Sequence, residues 1–292
     1  MSVDFLQDKI RKLKNPAMLE LAPVPAELPA HILAESQDAA AACERFCREL
    51  LDGLKGSIPG VRVSFTAFAL LGSAGMDVLS KILRYARDLG YYVVLDGPAV
   101  HSPASAQAVA AGILGEGSVY PCDGLIVAAY AGSDVIKPFL PYCKDGKKDI
   151  FAVARTANKS APELQDLLAG SRLVHVACAD HVNRYGGDCV GKFGYSRVGI
   201  LAAASSAESL KNLRGKYPKL FMLLDGYDYP NSNAKNCAAA FDKFGHGAAA
   251  CAGSSISGAW RLAESDGRDY VTHAVAAAER MKKNLTRYTT IL

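Results

Sequence analysis

Two rhythms of apolar residues alternate along this chain. One is a short run that is apolar at nearly every position, as in residues 124–129; the other is a longer stretch with apolar positions three and four apart. The first kind reads as a strand buried on both faces, the second as a helix with one buried face. Strands are predicted at residues 17–21, 61–68, 91–95, 124–129, 150–154, 198–203, 220–224 and 247–252. A short amphipathic helix over residues 5–14 is stopped by Pro16. Residues 36–55 carry a helical period through Ala40, Cys43, Cys47, Leu50 and Leu51, with Asp38 in the first turn. The helix after Gly75 places Leu79, Ile82, Leu83 and Ala86 on one face. Further helices are expected at 104–114, 162–168, 173–184 and 269–285. Eight apolar strands alternating with helices imply a parallel sheet closed on itself, an α/β fold of the (β/α)8 TIM-barrel type. No low-complexity linker divides the chain, so a single domain over residues 1–292 is expected.

Composition narrows the function classes. Half of the 292 residues are hydrophobic, and 33 Lys and Arg against 29 Asp and Glu leave a formal charge of only +4. With no basic block, nucleic acid is not an expected partner. No apolar run reaches the ~18 residues needed to span a bilayer, and no signal-peptide pattern opens the chain. A membrane is therefore not expected, and the cytoplasm is the expected location. The eight cysteines form no CxxC pair. Cys43 and Cys47 are spaced to share a helix face, but no His or Cys pair accompanies them, so no metal site is expected. No cofactor is expected either.

The candidate chemistry centres on the third strand. It ends in an acid, Asp96, followed by Gly97-Pro98-Ala99-Val100-His101-Ser102. In an α/β barrel the C-terminal ends of the strands carry the site, which makes Asp96 a candidate base or sugar-hydroxyl acceptor. His101, whose unperturbed pKa lies near ~6.5, is a candidate acid or base, or else an ordinary loop histidine. Asp225 and Asp228 flank Gly226-Tyr227 after the seventh strand. Gly253-Ser254-Ser255 lies at a predicted helix start, where free N–H groups can hold an anion. His175 and His181 fall on a helix outside the barrel rim and read as structural or solvated.

Six segments in order give the chain a resemblance to a known family. They are Ile10 through Pro16; Ala67-Phe68 with Gly72-Ser73-Ala74-Gly75; Tyr130-Ala131-Gly132 with Lys137-Pro138-Phe139; Arg155-Thr156-Ala157-Asn158; Gly226-Tyr227; and Ser255-Ile256 through Ala259. Together they resemble the longer bacterial type of orotidine 5′-phosphate decarboxylase. That resemblance implies a TIM barrel, a pyrimidine nucleotide site at its mouth and a homodimer paired through the same face.

The departures fall where the resemblance places ligand contacts. The acid that holds the ribose is Ala22, the lysine at the start of strand two aligns with Arg62, and the catalytic lysine is Pro98. The second acid of the catalytic array is His101. The serine that contacts the pyrimidine is Ala157, the phosphate-contacting glutamine is Pro230, and the phosphate-clamping arginine aligns with Ser254. Asp96, Asn158 and Tyr227 are retained. Arg62, Asn158, Tyr227, Ser254 and Ser255 are therefore the ligand-binding candidates, with Asp96 and His101 at degenerate catalytic positions. A guanidinium does not release a proton near neutral pH, so Arg62 cannot replace the lysine. The expectation is a pseudoenzyme that binds a small molecule or a partner. A diverged enzyme of different chemistry around Asp96 and His101, or an atypical orotidine 5′-phosphate decarboxylase of UMP biosynthesis, remain open as alternatives.

Overall fold

The computed structural model describes residues 2–292. Its eight parallel strands close into a barrel: β1 (Ala17–Leu21), β2 (Gly60–Ser64), β3 (Tyr92–Asp96), β4 (Gly124–Val127), β5 (Asp149–Val153), β6 (Ser196–Ala203), β7 (Leu220–Asp225) and β8 (Ala248–Ala252). Each strand pairs with the next in sequence, and β8 closes on β1 through Ala17–Ala250 to Leu19–Ala252. The expected TIM barrel is the observed architecture.

The near-continuous apolar strands have two layers to fill. Outward side chains such as Leu19, Val61, Val63, Leu95 and Leu125 pack under the helices. Inward ones, among them Met18, Val94, Phe151, Phe221 and Leu223, fill the barrel itself. The first helix, α1 (Val3–Leu13), joins this inner layer. Its Val3, Leu6 and Ile10 are buried against the barrel interior, so α1 plugs the N-terminal end of the barrel. Each fully buried aliphatic side chain of this kind stabilises the fold by about 1.5–3 kcal/mol. With that end sealed, access to the axis is left to the mouth, where the strands' C-terminal residues lie.

The surrounding helices follow the predicted periods closely. Asp38 precedes α2 (Ala39–Gly53) and caps it, its side chain accepting from the Ala41 N–H at 2.8 Å. Helix α3 (Gly72–Asp88) buries Leu79, Ile82, Leu83 and Ala86, as its spacing indicates. Ser102 caps α4 (Pro103–Val109), with Pro103 at its first position, and one wider turn, Ala110–Leu114, extends it. The chain closes with α5 (Val174–Tyr185), α6 (Ala207–Lys216) and α7 (Tyr270–Thr286).

Two elements differ from expectation. The strand expected over residues 61–68 ends at Ser64, and Phe65–Ala69 is helical. Ser64 itself ends the strand by accepting from the Ala67 N–H at 3.2 Å, which caps the turn. The helix expected over 162–168 stops at Gln165. Leu168–Ala169 instead pairs antiparallel with Arg172–Leu173, turning through Gly170 at φ +67°. Among the described residues no helix is long and apolar enough to cross a membrane. All eight cysteines are free, and seven are buried.

Candidate ligand site at the barrel mouth

The register of β1 and β2 sets Glu20 beside Arg62, and both side chains enter the barrel near its mouth. Arg62 is only 7% exposed. Its Nη2 donates to Asp96 Oδ2 and its Nη1 to Asp225 Oδ1, both at 2.5 Å, and Glu20 Oε2 lies 3.5 Å from Nη1. Three acids from β1, β3 and β7 thus converge on one guanidinium, a formal excess of two negative charges. Burial alone would lower the Arg62 pKa, but Glu20, Asp96 and Asp225 outweigh it and hold it above its usual value. Burial raises the Glu20 carboxyl, opposed by Arg62 and reinforced by Asp225, Asp96 and Asp228. The Arg62 Nε is buried without a hydrogen-bond partner. Beneath this cluster, burial pushes the Cys251 thiol up, so it stays protonated.

A cavity of about 290 Å³ opens above Arg62. Glu20, Glu27, Asp225 and Asp228 supply acid to its wall, Tyr227 and Tyr229 supply rings, and Ala22 and Ser254 stand at its rim. Arg62 is the one basic side chain among its lining residues. Asp228 reaches across to β8, where its Oδ2 accepts from the backbone N–H of Gly253 at 2.7 Å and of Ser255 at 3.3 Å. The loop expected to offer N–H groups to an anion is already occupied by an internal carboxylate. Ser254 is exposed, and Ser255 enters this arrangement through its backbone.

The other expected residues separate. Asp96 joins the Arg62 cluster, as does Asp225. His101 is exposed and forms no hydrogen bond or ion pair among the described residues. Pro98 is partly buried, and neither it nor His101 lines the cavity above Arg62. Asn158 is turned into its own loop, accepting from Thr156 Oγ1 at 2.5 Å and donating to Ser160 Oγ at 2.9 Å. Tyr227 is half-buried and lines the cavity while packing against the outer core. Gly226, at φ +73°, lets the β5 and β7 loops touch: a Cβ there would sit 2.2 Å from that of Ala157.

Sequence reasoning missed Glu20, although a lone carboxylate inside the apolar β1 run was a usable signal. It also missed a chain of polar contacts behind the β5 loop. Arg155 donates twice to Asp166, at 3.0 and 2.8 Å. His175 Nδ1 lies 3.1 Å from Asp166 Oδ1 and 2.9 Å from the Gln165 carbonyl, and its Nε2 lies 3.1 Å from Ser209 Oγ. His175 is thus buried with both ring nitrogens held, and Arg155 is fixed by Asp166. Gln165 and Ser209 lie 10 and 34 residues from His175 in sequence, so no local motif marks them.

Similarity to known proteins agrees with this architecture. No protein-family profile matches the chain. An orotidine 5′-phosphate decarboxylase of Rhodopirellula baltica is 31% identical over 213 residues, which cover 72% of this chain and 70% of that one. The enzyme of the same name from Caldicellulosiruptor saccharolyticus is 31% identical over 186 residues, so the match spans about three fifths of that relative, 61% of each chain. The enzyme of the same name from Clostridium novyi is 24% identical over 286 residues and covers 98% of both chains. Among solved structures, the orotidine 5′-monophosphate decarboxylase of Plasmodium berghei superposes with a TM-score of 0.78 at 14% identity, covering 98% of this chain and 97% of that one. The OMP decarboxylase of Leishmania donovani gives 0.74 at 21%, covering 97% and 100%. These two establish the fold alone; the sequence relatives carry the family. The chain belongs to the orotidine 5′-phosphate decarboxylase family.

Proposed function

We propose that this chain is a family member that does not decarboxylate orotidine 5′-phosphate and instead uses its altered barrel mouth to bind a different small molecule or a partner. The observation that carries the reading is the Arg62 cluster. In the pattern the resemblance implies, the acid ending strand three stands beside a lysine that protonates the carbon losing carboxylate. Here Asp96 is bonded to a buried guanidinium, and position 98 is proline. Acids clustered around Arg62 raise its pKa, which takes it further from any role as a proton donor. Loss of a positioned proton donor alone removes about 10²–10⁴-fold in rate.

The phosphate side supports the same reading. Asp228 fills the N–H groups of Gly253 and Ser255, and a phosphate brought there would meet a carboxylate at close range. Two like charges ~4 Å apart repel by about 4 kcal/mol at an effective dielectric near 20. An enzyme built on Asp96 and His101 gains no comparable support, because Asp96 is committed to Arg62 and the two residues share no hydrogen bond.

The test follows loss of the ultraviolet absorbance of orotidine 5′-monophosphate with the protein in large excess, together with calorimetry of UMP. The expected result is no turnover above background and no micromolar UMP binding. Turnover that persists across independently prepared samples, or micromolar affinity for UMP, overturns the proposal.

A further inference from the structure

We infer, on the basis of the reading above, that the axial cavity over Arg62 takes a small organic cation: an ammonium whose carbon frame also carries a hydroxyl or carbonyl oxygen. Glu20, Glu27, Asp225 and Asp228 line this cavity, and Asp96 bonds Arg62 beside them. Glu27 is paired with Arg261 at 3.1 Å. Five carboxylates thus meet two guanidiniums, a formal excess of three negative charges. A nucleoside phosphate would add to that excess, whereas a cation relieves it. At about 290 Å³ the cavity stands at the small end of ligand sites.

The cavity wall also leaves hydrogen-bonding groups unfilled, and their kinds match such a molecule. Asp225 spends Oδ1 on Arg62, and its Oδ2 accepts nothing among the described residues. Asp228 spends Oδ2 on the N–H groups of Gly253 and Ser255, and its Oδ1 likewise accepts nothing. Glu20 accepts no hydrogen bond at either oxygen among the described residues; Arg62 reaches it only as an ion pair at 3.5 Å. An ammonium brings three N–H donors, one for each of these carboxylates. On the donor side, Arg62 is more than nine-tenths buried, and its Nε finds no acceptor. An oxygen on the ligand supplies one. Tyr227 and Tyr229 add rings, whose faces attract a cation. The cation is organic because Arg62 stands among the acids: no group of three or more His, Cys, Asp or Glu among the described residues is set to hold a metal ion.

Titration calorimetry of the full chain with serinol, a small amino diol, tests this against glycerol, in which a hydroxyl replaces the ammonium, and isopropylamine, which lacks the hydroxyls. Serinol should bind in about the millimolar range expected of so small a probe. Glycerol and magnesium chloride should give no binding, and isopropylamine should bind at least about threefold more weakly for want of the oxygen. Burial holds the Glu20 carboxyl above the usual 4.5, so affinity for serinol should rise as pH goes up through the raised value and the carboxyl loses its proton. Glu20→Gln should flatten that rise and weaken binding about tenfold at neutral pH, as for one charge-assisted contact. Ala22→Phe, which sets a ring at the rim of the cavity, should abolish binding. No binding of serinol, equal binding of glycerol, magnesium or isopropylamine, a pH dependence that persists in Glu20→Gln, or full affinity in Ala22→Phe overturns the inference. Failure of serinol in a protein that also leaves UMP unbound overturns the cation alone, whereas micromolar UMP binding overturns the reading beneath it.

Discussion

Arg62 keeps its charge inside the barrel because three carboxylates converge on it, and their excess charge has a cost that one substitution can expose. Glu20 is the most weakly bonded of the three, 3.5 Å from Arg62 against 2.5 Å for Asp96 and Asp225. Burial raises its pKa above the usual 4.5, so between that value and the folded one the folded protein keeps a proton that the unfolded chain has released. Stability from that proton is fully present below the unfolded value and is lost as pH rises through the folded one. Glu20→Gln removes the charge and should therefore raise stability at pH 7 by up to about 1 kcal/mol, the repulsion from Asp225, Asp96 and Asp228 less the lost attraction to Arg62. Urea unfolding of both proteins across pH should show the gain fade as pH falls through the raised Glu20 value and vanish by the usual 4.5. A loss of stability at pH 7 would mean that Glu20 is needed to balance Arg62. At this scale the sequence could name Asp96 and Arg62, because a charge at a strand end or start is visible in one dimension. It could not show that they bond to each other, which depends on how β1, β2, β3 and β7 are set side by side.

The strands were legible because barrel strands are apolar on both faces, and the helices because their buried positions keep a period of 3.6. Element ends were less so. Ser64 ends β2 through a side-chain bond to the backbone, and nothing in the pattern Val61–Phe68 distinguishes that serine from a strand serine. Leu164, Leu167 and Leu168 have helical spacing but stand exposed, because a hairpin rather than a helix follows Gln165. The loops after β5 and β7 touch at the mouth, and Gly226 decides how closely they meet. Gly226→Ala would place a methyl group 2.2 Å from the Ala157 Cβ and 2.6 Å from Tyr229, at a φ of +73°. The expected cost is about 1–3 kcal/mol in thermal or urea unfolding. An unchanged midpoint would show that the two loops part without resistance.

Over the whole molecule, the scaffold keeps the family's barrel while the mouth departs from the pattern the resemblance implies. The apolar strands, the α1 plug and the closure of β1 on β8 maintain a complete barrel. Such a framework resembles its family readily in sequence, because packing constrains many positions at once. The mouth does not, because a ligand contact can be replaced without disturbing the layers beneath. Restoring the catalytic pair is therefore not expected to restore the reaction: Pro98→Lys with His101→Asp should show no decarboxylation above background. The new lysine would enter a region where Asp96 already bonds Arg62, so the acid meant to orient it is taken. The new aspartate would replace an exposed residue outside the axial cavity. Ala22 would still offer no acid to a ribose, Ala157 no hydroxyl to a pyrimidine, and Asp228 would still fill the N–H groups of Gly253 and Ser255. Interactions that hold the rest of a substrate support the chemical step, so a repaired proton donor without them has little to act on. Single-turnover absorbance measurements on the double variant decide this, with its fold checked by circular dichroism. Rescue by those two substitutions alone would show that the barrel mouth still holds its nucleotide, and that proline and histidine at these positions are the whole of the lesion.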